Sequence, residues 1–327
     1  MDIKFCQDKK EWDEFLLQNS KSFLQSFEWG NLQEKSVKNI LRIKVEENNE
    51  TLVQAQVTIE SFFSKNYFYI AFGPVFKKNI DPIQRTESLK VLLKKIKEKA
   101  KKENCIFLRI EPVVEVSDAI GKKAQISPRR IQPKKTLILD LTQTEEDLFK
   151  KFSRTTKYNI GLAKRSGVKI KEQQNYSPDF YKLLEKTKNR QEFGIYPESH
   201  YKDIFEISSE SIKVELFTAE YKGKIINATI VLFFNGRATT LHSGSDYNHR
   251  SVKGSNLLNW EIILSAKKRG LEELDFWGID ENKWPSLTFF KKGFDGKEVE
   301  YPEGIDIVFQ SFWYNIYKIS RFIKKII

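Results

Sequence analysis

One order of elements occurs twice along this chain, and it restricts the fold more than any other feature. In the first half, LRIKVEENNETLVQAQVTIESFF reads as two strands joined by a polar turn at Glu47 to Glu50. NYFYIAFGPVF continues as an aromatic strand ending at Gly73-Pro74. RTESLKVLLKKIKEKAKKEN then sets apolar residues at helical spacing with lysines on the opposite face. CIFLRIEP closes the unit as a strand. In the second half, VELFTAEYKGKIINATIVLFF is a hairpin turned at Lys222-Gly223, and Asn235-Gly236 turns into the strand RATTLHSGSDY. The loop NHRSVKGSN leads into the helix LLNWEIILSAKKRG, ended by Gly270, and LEELDFWGI is the closing strand.

Hairpin, strand, loop, helix, strand, read twice, predicts two tandem α/β (α+β) domains. Each would hold a mixed, largely antiparallel sheet flanked by helices. The 327 residues also exceed what one core usually holds. The expected division is 1–140 and 141–327, leaving open whether the C-terminal segment completes the first domain. Between the repeats, the prolines and basic residues up to Lys135 predict an exposed connector, and TLILDL a strand. Thr142 is the expected cap of the next helix, with Glu145 closing a capping box. A strongly basic helix follows over Phe152 to Arg165, stopped by Gly167. The C-terminus is expected to run from a strand into a basic amphipathic helix with Phe312, Ile316, Ile319 and Ile323 on one face. It would either dock on its own domain or touch a membrane surface.

The same order is that of the GNAT acyltransferase core, whose loop before the helix offers backbone N–H groups to an acyl donor. Of the glycine-rich pattern usual there, only Arg250 and Gly254 are left, which argues against classical coenzyme A binding. Neither a G-x-S-x-G nor a G-x-x-x-x-G-K-[ST] pattern occurs. Cys6 and Cys105 have no redox or metal spacing, and His200, His242 and His249 form no ligand motif, so no metal is expected. No apolar run reaches membrane-spanning length, and the charged N-terminus lacks a signal peptide's apolar middle. Both features predict a cytoplasmic chain. Net charge is +12, which suits a polyanionic partner or a lysine-rich solvated surface.

Two acids close corresponding strands, Glu111 after CIFLRI and Asp275 within LEELDFWGI. A carboxylate there would orient or deprotonate an amine, or serve as a structural acid. Arg190, at the end of a helical segment, has the donor geometry to hold a diphosphate. FSRTTKYNIGLAKRSG has the charge to follow a phosphate backbone.

Taken in order, FLQSFEWGNLQEK, YIAFGPV, FLRIEP, FSRTTKYNIGLAKRSGV, LLNWEIILSAKKRGLEELDFWGI and LTFFKKGFDGKEVEYPEGIDIV resemble the Fem family (FemABX-like) of peptidoglycan-bridge aminoacyl and peptidyltransferases. The chain departs from the family's pattern at Phe72, where an arginine is usual, and at Glu111, where aspartate is commoner. The resemblance implies tandem GNAT-like domains, here without the long coiled-coil arm of some members. It implies transfer of an amino acid from aminoacyl-tRNA to the side-chain amine of a UDP-linked or lipid-linked peptidoglycan precursor, with no cofactor. It places Lys291 at the charge developing during acyl transfer, with Phe290 beside it, and Glu111 near the acceptor amine. Lys35, Arg190 and Tyr247 would bind precursor phosphates, with Asp275 lining the same site. Alternatives are a GNAT-type N-acyltransferase using acyl-coenzyme A, and a non-catalytic tRNA- or membrane-binding module.

Overall fold

A computed structural model describes residues 1–36, 39–116, 120, 124–191 and 194–326. The chain divides into two compact units: Met1–Lys134 with Tyr301–Ile327, and Lys135–Glu300.

In the first unit a sheet runs in the order Asp2–Phe5, Asn39–Glu47, Glu50–Phe62, Lys65–Ala71, Cys105–Glu111, Ile305–Val308, Ala124–Ile126, and Val75–Phe76 pairs with Glu50–Phe62. Lys65–Ala71 and Cys105–Glu111 are parallel, joined by the crossover helix Pro82–Lys102. Asp81 caps that helix by accepting from the Ile83 and Gln84 N–H groups, with Pro82 in its first turn. The helix therefore starts three residues before the expected Arg85. Strand alternation separates the two faces of the sheet. Val45, Val57, Ile70 and Leu108 pack with Leu89, Leu92 and Ile96 of the helix. On the opposite parity, Arg42, Lys44, Gln54 and Gln56 are buried. Much of that polarity is met by the N-terminal segment and by strand neighbours, while Gln54 Oε1 is buried without a partner among the described residues. Gln56 Nε2 donates to the carbonyls of Leu24 and Ser26, and Arg42 Nε donates to Gln56 Oε1 at 3.0 Å.

The C-terminal segment lies in this unit, the arrangement that the sequence reading left open. Ile305–Val308 pairs with both Cys105–Glu111 and Ala124–Ile126. A buried ion pair fixes that pairing. Arg109 Nε and Nη2 donate to the two carboxylate oxygens of Asp306 at 2.8 and 2.7 Å, and both side chains are fully buried. Arg109 also donates to Tyr317 Oη, and Tyr314 donates to Asp306 Oδ2. The terminal helix Ser311–Ile326 therefore turns Tyr314 and Tyr317 inward, and Phe312 and Ile319 are exposed. Of the rest of that apolar face, Ile316 is partly buried, and Ile323 lies outside the described side chains.

The second unit holds a sheet in the order Lys297–Glu300, Lys135–Asp140, Glu273–Ile279, Arg237–Ser245, Lys224–Phe234, Ile212–Tyr221, Lys169–Gln173. Lys135–Asp140 pairs on both edges inside this sheet, which moves the boundary ahead of residue 140. Helices Glu145–Lys151, Arg154–Arg165 and Gly254–Lys268 supply Leu148, Ile160, Leu258 and Ile262 to its core, joined by Phe152 at the end of the first. The first of these is capped by Thr144, whose hydroxyl accepts from the Asp147 N–H. The expected cap, Thr142, is instead drawn back to Asp140 Oδ1. Gly167 ends the basic helix at φ +80°, a conformation open to glycine without strain.

Removing Asp306 would leave the Arg109 guanidinium buried and unpaired. Asp306→Ala is expected to destabilise the first unit by about 3–5 kcal/mol, whereas Tyr317→Phe should cost only about 1 kcal/mol. Urea unfolding of the two variants measures the difference; equal midpoints would show that the ion pair does not hold the terminal segment.

Candidate functional site

The strand Glu273–Ile279 pairs in parallel with its neighbour only from Arg237–Glu273 to Thr239–Asp275. Its register with Lys135–Asp140 then slips between Asp275 and Gly278, which advance three residues while the partner advances from Ile138 to Thr136. The extra residue makes a bulge. Within it Trp277 takes φ +61°, a left-handed conformation costly for a bulky side chain.

Asp275 holds this bulge. Its side chain is 1% exposed, and Oδ1 accepts from the Trp277 N–H at 2.7 Å and from the Thr136 hydroxyl. Arg237 Nη1 lies 4.0 Å from Oδ2. Burial raises the carboxyl's pKa, opposed by the Thr136 hydrogen bond and the Arg237 charge. Asp275 is therefore not a substrate ligand but a positioning residue, because its oxygens are sealed beneath the strand.

The bulge turns out two carbonyls, and Lys291 takes both. Lys291 lies in the last turn of the helix Pro285–Lys292, and its Nζ donates to Gly278 O at 2.7 Å and to Trp277 O at 3.4 Å. Desolvation lowers its pKa to about 8, against the partial support of the Asp275 charge. An ammonium has three N–H donors, so one more is available to an incoming oxygen. Phe290 packs against the core and meets Phe294 edge-on at 5.5 Å. The neighbouring Lys292 is committed elsewhere, with Glu281 and Glu298 each 2.6 Å away.

Gly293 fixes where that helix ends. A Cβ there would stand 2.3 Å from Thr156 Oγ1, and the Gly293 carbonyl accepts from the Ser153 N–H. The start of the basic helix Arg154–Arg165 is thereby pinned to the end of the lysine's helix.

The same unit brings together Arg190 and Tyr247. Arg190 closes the helix Pro178–Gln191, with its guanidinium 5.0 Å from the Tyr247 ring and Nη2 donating to Ser245 Oγ at 3.3 Å. Arg250 stacks on the same ring at 4.2 Å and donates to the Tyr247 carbonyl. Two guanidiniums flanking an exposed tyrosine suit an anionic ligand.

Glu111 and Lys35 lie in the first unit. Lys35 is exposed at the end of the helix Phe27–Lys35. Glu111 is fully buried, and its oxygens accept from the N–H groups of Ile131 and Gln132, each at 2.7 Å, and from Tyr69 Oη at 3.0 Å. Glu111 thus anchors the backbone of Ile131 and Gln132, in a stretch whose Ile126 and Ile131 side chains are exposed as expected of a connector. The acid ties that stretch down. Thr136, Arg237 and Trp277 were not singled out by sequence reasoning, and Arg250 was noted only as a remnant of the loop before the helix. For Trp277 the only sequence signal is its place two residues after an acid in a strand. Among the described residues no group of three or more His, Cys, Asp or Glu is arranged to hold a metal.

Asp275→Asn removes the charge that supports the ammonium while keeping a similar shape. The Lys291 pKa is expected to fall below its present value of about 8, read by NMR titration of lysine side-chain carbons. An unchanged titration would show that Lys291 does not sense Asp275.

The sequence profile described as the FemAB family matches residues 8–130, 120–225 and 208–324. A lipid II:glycine glycyltransferase of Staphylococcus aureus (strain MRSA252) is 24% identical over 315 residues, 90% of this chain and 70% of that protein. Against other S. aureus proteins of the same name the chain spans about half of their length, 52%. Among solved structures, FemX superposes with a TM-score of 0.81 at 18% identity, covering 97% of this chain and all of the other. A tandem GNAT protein from the clavulanic acid biosynthesis pathway gives 0.58 at 11% identity, covering 93% and 98%. Those likenesses establish the tandem GNAT-like fold, and the profile match over nearly the whole chain makes this protein a member of the FemAB family.

Proposed function

We propose that this protein is an aminoacyltransferase. It would join an amino acid, carried as an ester on tRNA, to the side-chain amine of a peptidoglycan precursor's stem peptide. The observation that carries the reading is the Lys291 ammonium, held by two carbonyls with its pKa drawn down to about 8. It is further supported by the likeness to the S. aureus lipid II:glycine glycyltransferases and by the net charge of +12, which suits a nucleic-acid donor. The acceptor most in keeping with those relatives is a lipid-linked precursor, and Arg190, Tyr247 and Arg250 would take its phosphates.

In this scheme the acceptor amine attacks the ester carbonyl carbon. The carbonyl π pair moves onto oxygen, and the resulting oxyanion is met by the Lys291 ammonium, fixed in advance and poorly hydrated. The tetrahedral intermediate collapses by breaking the C–O bond to the tRNA ribose. The amine's proton balances the departing alkoxide, leaving an amide and a free ribose hydroxyl. The ester is already activated, so the step draws on no nucleotide hydrolysis, and alignment of the two reactants supplies much of the acceleration.

Mass spectrometry of precursor incubated with the protein and a pool of charged tRNAs should reveal the mass of one or more added residues. Lys291→Met is expected to lower the transfer rate roughly 10²–10³-fold with the fold retained. The pH profile should fall above about pH 8 as Lys291 deprotonates, and that limb should move to higher pH in Lys291→Arg, whose guanidinium stays charged. Transfer at the normal rate in Lys291→Met would remove the lysine from the mechanism. Clear thermal stabilisation by acetyl-coenzyme A without any tRNA-dependent product would favour an acyl-coenzyme A transferase instead.

A further inference from the structure

Two exposed features of the first unit have no part in its core. The hairpin between Glu50–Phe62 and Lys65–Ala71 turns through Phe63 and Ser64. Phe63 has φ +51° and is 79% exposed. A tight turn of this kind favours glycine, asparagine or aspartate, so a bulky aromatic there carries a conformational cost with little burial in return. The second feature is the outer face of the helix Ser311–Ile326, where Phe312 is 71% and Ile319 60% exposed.

These features adjoin. The ring of Phe62, in edge contact with Phe63 at 4.7 Å, also meets Tyr317 at 5.1 Å, and Lys65 Nζ lies 5.2 Å from the Trp313 ring. Cations border the apolar side chains. Lys65 and Lys318 are those cations, Lys318 Nζ being 5.2 Å from the Tyr314 ring, whereas Arg321 lies inward, 5.1 Å from the buried Tyr317 ring. The sequence from Ser311 to Ile326 contains no acidic residue.

We propose that this face of the first unit docks on an anionic lipid bilayer. Phe63, Phe312 and Ile319 would enter the headgroup–acyl boundary, and Lys65 and Lys318 would meet lipid phosphates. Apolar side chains bordered by cations on an amphipathic helix match an interfacial anchor. A nucleic acid would gain nothing from the aliphatic Ile319, which offers no stacking plane. A second copy of the same face would oppose cation to cation. No described helix is long and apolar enough to cross a membrane, so the contact is peripheral on this surface. The proposal does not depend on the transferase reading.

The test is sedimentation of the full chain with vesicles of phosphatidylcholine alone or mixed with phosphatidylglycerol, at low and high salt. Wild type is expected to bind the anionic vesicles, with salt weakening the binding. Phe63→Ser/Phe312→Ser/Ile319→Ser should bind at least about tenfold more weakly at an unchanged melting temperature. Lys65→Glu/Lys318→Glu should lose the preference for phosphatidylglycerol. Phe63→Gly, which relieves the left-handed backbone, should bind more weakly while melting no lower than wild type. The proposal is overturned if wild type ignores anionic vesicles, or if the triple variant binds them as tightly. It is equally overturned if light scattering shows a dimer, or a gel shift shows a tRNA complex, that the triple variant abolishes while vesicle binding persists.

Discussion

An ammonium withdrawn from water must be given oxygen partners, and the second unit meets that demand with its own backbone. A sheet ordinarily spends its carbonyls on neighbouring strands. The bulge at Trp277 releases two of them, and Lys291 Nζ takes both. The bulge in turn needs an anchor for a left-handed tryptophan. Asp275 provides it by accepting the Trp277 N–H, while Thr136 and Arg237 steady the acid from the strands on either side. The lysine's position thus depends on Asp275 and Thr136, both buried beneath the strand.

The first unit solves a related problem at another scale. Its sheet is completed by a segment that arrives nearly 200 residues after the strand it pairs with (Arg109 to Asp306, separation 197). Backbone pairing alone does not choose that partner. The bidentate Arg109–Asp306 pair does, since either charge buried by itself would carry a large desolvation penalty. Glu111 extends the same logic two residues further along its strand, where it gathers the N–H groups of Ile131 and Gln132. An acid at a strand end suggests chemistry, and here it closes a loop.

Much of the fold was legible because it rests on short-range rules. The hairpin at Lys222-Gly223, the stop at Gly167 and the twice-repeated order of strands and helices all follow from turn residues and periodicity. The misreadings are local competitions of similar energy. Thr142 and Thr144 are both plausible caps, and Asp140 takes the first. On the terminal helix, the stripe of Phe312 and Ile319 left docking and membrane contact both open, and the inward side was decided elsewhere. Tyr314 and Tyr317 won because their hydroxyls reach Asp306 and Arg109 inside. Of the candidate site, Lys291, Phe290, Arg190 and Tyr247 were named from residue pattern and family resemblance.

The sequence by itself determined two mixed α/β units, the family, and a lysine in FFKKGF, because turn chemistry, apolar period and ordered motifs are written along the chain. Only the tertiary structure decided which acids are sealed and which of two adjacent lysines is drawn down to about pKa 8. Lys291 and Lys292 are the same residue type one position apart. Helix rotation sets the first against the carbonyls of Trp277 and Gly278 and the second between Glu281 and Glu298. That choice depends on a bulge in a strand more than ten residues earlier, and desolvation is a property of the packed neighbourhood, not of the residue.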